Sequence, residues 1–209
     1  PHIFREYDIR GIVGQDLTEP MVRLIGESFG TYLRERGGKR VSVGRDARLS
    51  SPTFAASVAE GLRCTGCDVV DLGQVPTPCI YYSIERLNAD GAVVVTASHN
   101  PPQYNGFKLR WGQVPLSGEG LQVIRRTVEE GSLATGAGGL EKAEMIPCYV
   151  EWIESRVHPA RKLKVVIDCA NGTNGPVTPT LLRRVGCEVV ELFSEPDGTF
   201  PNHAPDPMK

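Results

Sequence analysis

The chain has 209 residues, which is long for one domain and short for two, so length alone allows either organisation. A hydrophobic content of 40% and a charged content of 23% are typical of a globular protein and exclude extensive disorder. The formal net charge of -2 lacks the basic excess of nucleic-acid-binding domains. We therefore expect no nucleic-acid partner.

The first eleven residues, PHIFREYDIRG, contain several charges and lack the apolar core of a signal peptide. No later stretch approaches the ~20 apolar residues that a membrane span needs. We therefore expect a cytoplasmic protein without a membrane partner. Cys64 and Cys67 form a lone C-x-x-C. We interpret them as structural thiols rather than a metal or redox pair, because no second pair or histidine doublet accompanies them.

Helical and strand patterns alternate through the first hundred residues. Apolar residues recur at helical spacing from Met21 to Leu33, after a capping Thr18 and Pro20. The segments that follow read in turn as strand, helix, strand, helix and strand: KRVSVGRD, SPTFAASVAEGLRCTG, CDVVDLG, TPCIYYSIERLNA and DGAVVVTA. This order predicts crossover connections and a largely parallel sheet with helices on both faces.

A second α/β pattern begins near residue 150. A helix is predicted near residues 118–130, and the Gly- and Ala-rich GSLATGAGGLEKAE after it is predicted to be a flexible loop or linker. The rest reads as helix, strand, helix, strand and an aperiodic tail: IPCYVEWIESRVH, KLKVVIDCA, TPTLLRRVG, CEVVELF and EPDGTFPNHAPDPMK. The predicted fold is a three-layer α/β/α domain with a mostly parallel sheet at 1–148, followed at 149–209 by the start of a second similar α/β domain. That second unit is too small to be stable alone.

Ligands bind to such sheets at the carboxyl ends of the strands. Three predicted loops leave strands at that edge: 44–51, 73–78 and 98–106. The last loop contains Ser98, His99 and Asn100, two prolines that fix the backbone, and Lys108 shortly after it. We therefore expect the functional site at this loop.

The residues of this loop allow three interpretations. Ser98 could be an ordinary turn serine, because Asn and Pro are common in turns. It could belong to a hydrolase triad with His99, but adjacent side chains diverge on most backbones and the G-x-S-x-G elbow is absent. It could also carry a phosphoryl group, for which the arginines at 10, 45 and 48 are suitable cations.

Six segments resemble the α-D-phosphohexomutases, of the phosphomannomutase/phosphoglucomutase type, in the order of that family. TASHNPPQYNGFK resembles the active-serine loop, and the N-terminal FREYDIRG resembles the family's first signature. The other four are VGRDARLSSP, DLGQVPTP, VIDCANGTNG and PDGTFPNHAPDP. Together they span nearly the whole chain, so we interpret the chain as the N-terminal part of such a protein.

The resemblance implies reversible transfer of phosphate between the 1- and 6-hydroxyls of a hexose through a hexose 1,6-bisphosphate. Ser98 would be the phosphoserine, and it would contact Mg²⁺ through its phosphate. His99 and Lys108 would be catalytic, with Lys108 a candidate for proton transfer. The candidate phosphate- and substrate-binding residues are Tyr7, Arg10, Asn100 and Arg45.

Arg45 has an alternative role. It could form an ion pair with Asp46 that only braces the site, and we favour that bracing role.

Three loops of the family are missing from the sequence. These are the D-G-D-x-D-R loop for Mg²⁺, the G-E-x-S-G-H sugar loop and the R-x-S-G-T phosphate loop. Asp168, Asp197 and Asp206 do not replace the metal loop, since they lack its spacing. Two functions therefore remain open: the phosphoserine part of a longer mutase, acting with the remaining domains of that chain on a phosphosugar substrate, or a non-catalytic fragment that binds phosphosugars or a partner.

Overall fold

A computed structural model describes residues 2–206 and 208. The first part of the chain forms one sheet of seven strands: β1 (Ile9–Ile12), β2 (Arg40–Arg45), β3 (Asp68–Gln74), β4 (Gly91–Val95), β5 (Tyr104–Trp111), β6 (Val114–Pro115) and β7 (Leu140–Lys142). Four helices accompany it: α1 (Glu19–Arg34), α2 (Ser51–Cys64), α3 (Thr77–Arg86) and α4 (Glu119–Glu130).

The strand order is β1-β5-β4-β2-β3-β7, with β6 paired to β5. The pairs β2–β3, β2–β4 and β3–β7 are parallel, whereas β5 is antiparallel to β1, β4 and β6. Among the described strands of this sheet, β5 alone therefore runs against the others. The predicted mostly parallel sheet is confirmed, but the predicted elements did not include β1, β5 or β6.

Alternate residues of β4 enter two hydrophobic layers. Val93 and Val95 pack with residues of α1, α2 and α4. Ala92 and Val94 face the other side, where they pack with residues of α3 and with Met145. Helices therefore cover both faces of the sheet, and the predicted three-layer α/β/α arrangement is confirmed.

The segment expected to be a flexible linker contains a strand. β7 pairs in parallel with β3, with Val69 opposite Leu140. All three residues of β7 have exposed side chains. The linker prediction is therefore wrong for these residues, because backbone hydrogen bonds hold this edge strand without the buried side chains that a hydrophobic pattern detects.

The second unit consists of α5 (Ile146–Glu154), β8 (Lys164–Asp168), α6 (Thr178–Arg184) and β9 (Glu188–Leu192). β8 and β9 pair in parallel as a two-stranded sheet. The start of α5 packs on the first domain, since Ile146 and Tyr149 contact its α3-side layer. The predicted boundary at 148/149 lies inside α5 and stays a prediction. Within the described residues, we find no helix with the length and apolar character of a membrane span.

Candidate active site

Ser98 lies just beyond the buried strand β4, after the buried Thr96 and Ala97. It is exposed, and its φ of 57° is in the left-handed region that residues other than glycine rarely adopt. Its amide donates to Thr96 Oγ1 at 2.9 Å, and its Oγ is 3.3 Å from His99 Nδ1. Strained backbone of this kind clusters at functional sites, so the conformation marks Ser98 as a functional candidate.

A buried arginine donates hydrogen bonds to the backbone of the serine loop from the interior of the protein. The Arg48 side chain has no exposed surface. It donates to the carbonyl oxygens of Ser98, Asn100, Pro101 and Tyr104 at 3.0, 2.6, 2.7 and 3.0 Å. Arg48 was expected only as a cation for phosphate. Since its donors are used inside the protein, the structure corrects that expectation.

Asp46 accepts hydrogen bonds from three side chains beneath the loop. Its carboxylate accepts from Arg48 Nε at 3.0 Å, from Ser51 Oγ at 2.5 Å and from Thr96 Oγ1 at 2.7 Å. Burial lowers the pKa of the Arg48 guanidinium, and the negative charge of Asp46 opposes that shift. The expected Arg45–Asp46 ion pair is not formed, so the pairing is corrected to Arg48–Asp46.

Two candidate residues contact Asp8, which is 6% exposed, and one of them contacts a third candidate. Its carboxylate pairs with Arg10 and lies 4.0 Å from Lys108 Nζ. Arg10 also donates to Asn100 Oδ1 at 2.9 Å. The structure thus brings Arg10, Asn100 and Lys108 together on one side of the serine loop. Sequence reasoning missed Asp8, although its position in FREYDIRG, two residues before Arg10, is a signal that could have identified it.

Two other candidates have different surroundings. Tyr7 is 73% exposed. Arg45 donates to Gln74 at 3.3 Å and lines a separate depression with Ala55 and Asp71. The binding roles of Tyr7 and Arg45 stay predictions.

The end of the chain folds back onto the loop that contains Arg48. A Cβ added at Gly198 would lie 2.3 Å from the carbonyl oxygen of Ala47, so only glycine permits this approach. The Phe200 ring lies 5.4 Å from the Arg48 guanidinium carbon. The tail was predicted to be aperiodic and to contain one of the family-like segments, PDGTFPNHAPDP, and these contacts join it to the site.

A cleft of about 460 Å³ lies between the two units. Residues 46–47, 75–78, 96 and 98–99 contribute to it from the first domain. These residues follow β2, β3 and β4, so all three of the loops predicted at the strand ends border this cleft. The second unit lines the cleft with residues 168–170 and 172–174, Phe200 and Pro205.

His203 connects the tail to the end of β8. Its Nδ1 is 2.9 Å from the Ala204 carbonyl oxygen, and its Nε2 is 3.0 Å from an Asp168 carboxylate oxygen. A neutral imidazole donates only one hydrogen bond, so both contacts favour the imidazolium. The Ala204 carbonyl first, and then Asp168, raises the pKa of His203 above its usual 6.5.

We expect the His203 interactions to weaken at higher pH. Because the pKa is raised on folding, their contribution to stability is full below the unfolded-state pKa and is lost as pH rises through the folded-state pKa. Thermal unfolding of wild type and His203→Gln, between about pH 5 and about pH 8, measures this effect. The difference in Tm should shrink with rising pH, and a difference that grows would contradict the assignment.

The described residues do not form a complete metal site. Among them, no three His, Cys, Asp or Glu side chains are grouped to hold an ion. Asp168 accepts from the Ala170 amide and contacts His203, and Asp197 accepts from Thr199. Mg²⁺ requires near-octahedral oxygen ligands, so these residues alone do not fit it. The predicted Mg²⁺ contact through a phosphate on Ser98 stays a prediction.

The C-x-x-C cysteines have different surroundings. Cys64 ends α2 and accepts a contact from Arg23 at 3.3 Å, whereas Cys67 is fully buried. Both thiols are free. Burial raises the pKa of Cys67, which favours the thiol over the thiolate needed for metal binding or redox attack. This supports the interpretation as structural thiols.

Two family models match the chain. The model "Phosphoglucomutase/phosphomannomutase, alpha/beta/alpha domain I" matches residues 1–135, and the domain II model of the same family matches residues 147–209. The chain belongs to the phosphoglucomutase/phosphomannomutase family.

Individual relatives agree with this assignment. The chain is 44% identical over 207 residues to the phosphomannomutase/phosphoglucomutase of Pseudomonas aeruginosa, covering 99% of this chain and 45% of that protein. It is 39% identical over 209 residues to a phosphoglucomutase of Neisseria gonorrhoeae, with the same coverages of 99% and 45%. The chain thus spans about half the length of the curated relatives that it matches.

Solved structures give the same result. A crystal structure of a phosphoglucomutase/phosphomannomutase family protein from Burkholderia thailandensis matches with a TM-score of 0.95 and 42% identity, covering 99% of this chain and 47% of that chain. A putative phosphomannomutase from Thermus thermophilus matches with a TM-score of 0.84 and 29% identity, covering 98% and 48%.

Proposed function

We propose that this chain is the phosphoserine-bearing part of a phosphohexomutase, which interconverts the 1- and 6-phosphates of mannose, glucose or both. The observation that carries the proposal is the geometry of Ser98: an exposed hydroxyl, a strained backbone and a loop held by buried hydrogen bonds at the mouth of a cleft. Phosphoryl transfer depends mainly on positioning and charge neutralisation, and this loop supplies both. The relatives named as phosphomannomutase/phosphoglucomutase and phosphoglucomutase support the same activity.

In the proposed reaction, phosphorylated Ser98 gives its phosphoryl group to one hydroxyl of a hexose monophosphate. The bond between phosphorus and Ser98 Oγ breaks as a bond to the sugar oxygen forms. The hydroxyl proton passes to a base, for which Lys108 is the candidate. The product of this step is the hexose 1,6-bisphosphate. In the return step, the bond between phosphorus and the other sugar oxygen breaks as a bond to Ser98 Oγ forms. The base gives its proton to that sugar oxygen, which releases a hexose monophosphate and regenerates phosphorylated Ser98.

The remaining candidates would bind the charged groups. His99, beside Ser98 Oγ, and Asn100, held by Arg10, would orient the phosphoryl group. Arg10 would neutralise phosphate oxygens. Tyr7 and Arg45 are kept as proposed substrate- or phosphate-binding residues.

The proposed enzyme needs the remaining domains of a longer chain. Mg²⁺ would be bound through the phosphate on Ser98, with its carboxylate ligands supplied from outside the described residues. The β8–β9 sheet exposes Val166, Val190 and Leu192 by 63%, 41% and 41%. Such apolar surface suits further packing within the second domain. The proposed enzyme acts in the cytoplasm, and its proposed substrates are phosphosugars.

An assay of hexose phosphate interconversion tests the proposal. A longer polypeptide containing this chain should convert glucose or mannose 1-phosphate to the 6-phosphate, and the pure 209-residue chain should show no measurable turnover. Turnover by the pure chain would contradict the need for further domains. A longer polypeptide that binds hexose phosphates without converting them would instead favour the non-catalytic phosphosugar-binding alternative.

Replacing Lys108 should affect rate more than stability. Its side chain is 31% exposed, and its contact with Asp8 is a long 4.0 Å, so Lys108→Ala should cost less than about 1 kcal/mol of unfolding free energy. In the longer polypeptide, kcat should fall about 10²-fold or more if Lys108 transfers the proton. Lys39→Ala is the matched control, since Lys39 pairs with Asp68 on the surface. An unfolded Lys108→Ala variant would show that Lys108 is structural.

A further inference from the structure

The Arg48 guanidinium uses every one of its donors inside the protein. A guanidinium has five N–H groups. Nε donates to Asp46, Nη1 donates to the carbonyls of Pro101 and Tyr104, and Nη2 donates to those of Ser98 and Asn100. Because an Arg side chain is planar and rigid at its end, these bonds fix the relative positions of four peptide groups.

These bonds also orient the peptide between Ser98 and His99. The C=O and N–H of a trans peptide point in opposite directions, and the described peptides are all trans. Since the Ser98 carbonyl points inward at Arg48, the His99 N–H points away from it, toward the exposed side of the loop. The residues that the structure describes supply no acceptor for this N–H.

Arg48 is closed off from solvent on its remaining side. Gly198 brings the tail backbone against the Arg48 Cα, where an added Cβ would lie at 2.8 Å. The Phe200 ring lies near the guanidinium. Water therefore cannot easily replace the carbonyl contacts, which is a condition for holding Ser98 in its left-handed conformation.

We propose that Arg48 is a positioning residue for phosphoryl transfer: it locks Ser98 at positive φ and turns the backbone N–H of His99 toward the phosphoryl oxygens carried by Ser98. The role rests on the proposed function. Arg48 itself does not contact substrate. It acts through the four carbonyl groups, so its loss should disturb the transfer step more than substrate binding.

Arg48→Lys tests this role in the longer polypeptide. Lysine keeps the charge beside Asp46 but has too few donors, in the wrong geometry, for four carbonyls. We expect kcat to fall about 10²-fold with KM little changed, since small misplacements cost this much. Amide hydrogen exchange at Asn100 and Tyr104, whose N–H groups donate to the Ala97 and Pro101 carbonyls, should speed up about tenfold, while exchange in β4 stays as in wild type. The matched control is Arg63→Lys, which should behave as wild type. Arg63 is partly exposed and donates to the Gly138 carbonyl.

A folded Arg48→Lys variant in which both kcat and the amide hydrogen exchange of the serine loop are unchanged would overturn the proposal. If that variant does not fold, NMR of the wild-type Arg48 guanidinium tests the proposal instead. Separate, slowly exchanging Nη hydrogens are expected, and a single averaged Nη resonance would overturn the proposal. A wild-type polypeptide without mutase activity would refute the proposed function instead. The exchange and guanidinium measurements would still report whether Arg48 holds the loop.

Discussion

Ser98→Ala in the longer polypeptide should lower hexose phosphate interconversion by at least about 10³-fold, because the substitution removes the oxygen that we propose carries the phosphoryl group. The fold should be kept. Alanine occupies positive φ with the same difficulty as serine, and the carbonyl contacts with Arg48 do not involve the serine hydroxyl. Steady-state kinetics with circular dichroism measures both effects.

Two further variants separate chemistry from backbone strain. Ser98→Gly should be at least as stable as Ser98→Ala, since glycine adopts positive φ without strain, yet it should be equally inactive. Ser132→Ala, at an exposed position in the segment before β7, should keep wild-type activity. Normal turnover in Ser98→Ala would refute the phosphoserine assignment.

Asp46→Ala should destabilise the protein by about 3–5 kcal/mol, the usual cost of removing one partner of a buried ion pair. The variant leaves the fully buried Arg48 cation without its counter-charge. It also removes the acceptor for Ser51 and Thr96. Urea unfolding of the variant and wild type gives the free energies to compare.

Glu35→Ala is the control for this experiment. Glu35 is 64% exposed and pairs with Arg36 at 3.5 Å, so its replacement should change stability by no more than about 0.5 kcal/mol. A loss below about 1 kcal/mol in Asp46→Ala would show that Asp46 does not stabilise the buried guanidinium.

The sequence predicts those elements whose side chains enter a core. β4 has five buried residues and is read directly as a strand. β7 has three exposed residues and is held by its backbone, so its sequence carries no hydrophobic pattern. β5 follows the proline-rich loop without an intervening helix, and its pairing with β4 depends on contacts distant in sequence. Tertiary contact, rather than local pattern, decides these strands.

The site residues likewise fall into those that the sequence identifies and those whose roles only the fold shows. Ser98, at the end of a buried strand before two prolines, is identifiable from sequence. Arg48 is identifiable only as a cation, and its buried role is not, because arginine is almost never fully buried and its motif is read as a surface loop. The roles of Asp8 and His203 depend on partners that the fold brings together: Lys108 for Asp8, and Asp168 for His203. Sequence therefore locates the serine, and the structure shows what holds it.

Phosphopeptide mass spectrometry tests the central proposal most directly. The longer polypeptide is incubated with glucose 1,6-bisphosphate, digested and analysed. Phosphate should be found on Ser98 and should transfer to added glucose 1-phosphate or glucose 6-phosphate. An active polypeptide that carries its phosphate on another residue, or that turns over with Ser98 never phosphorylated, would contradict the account.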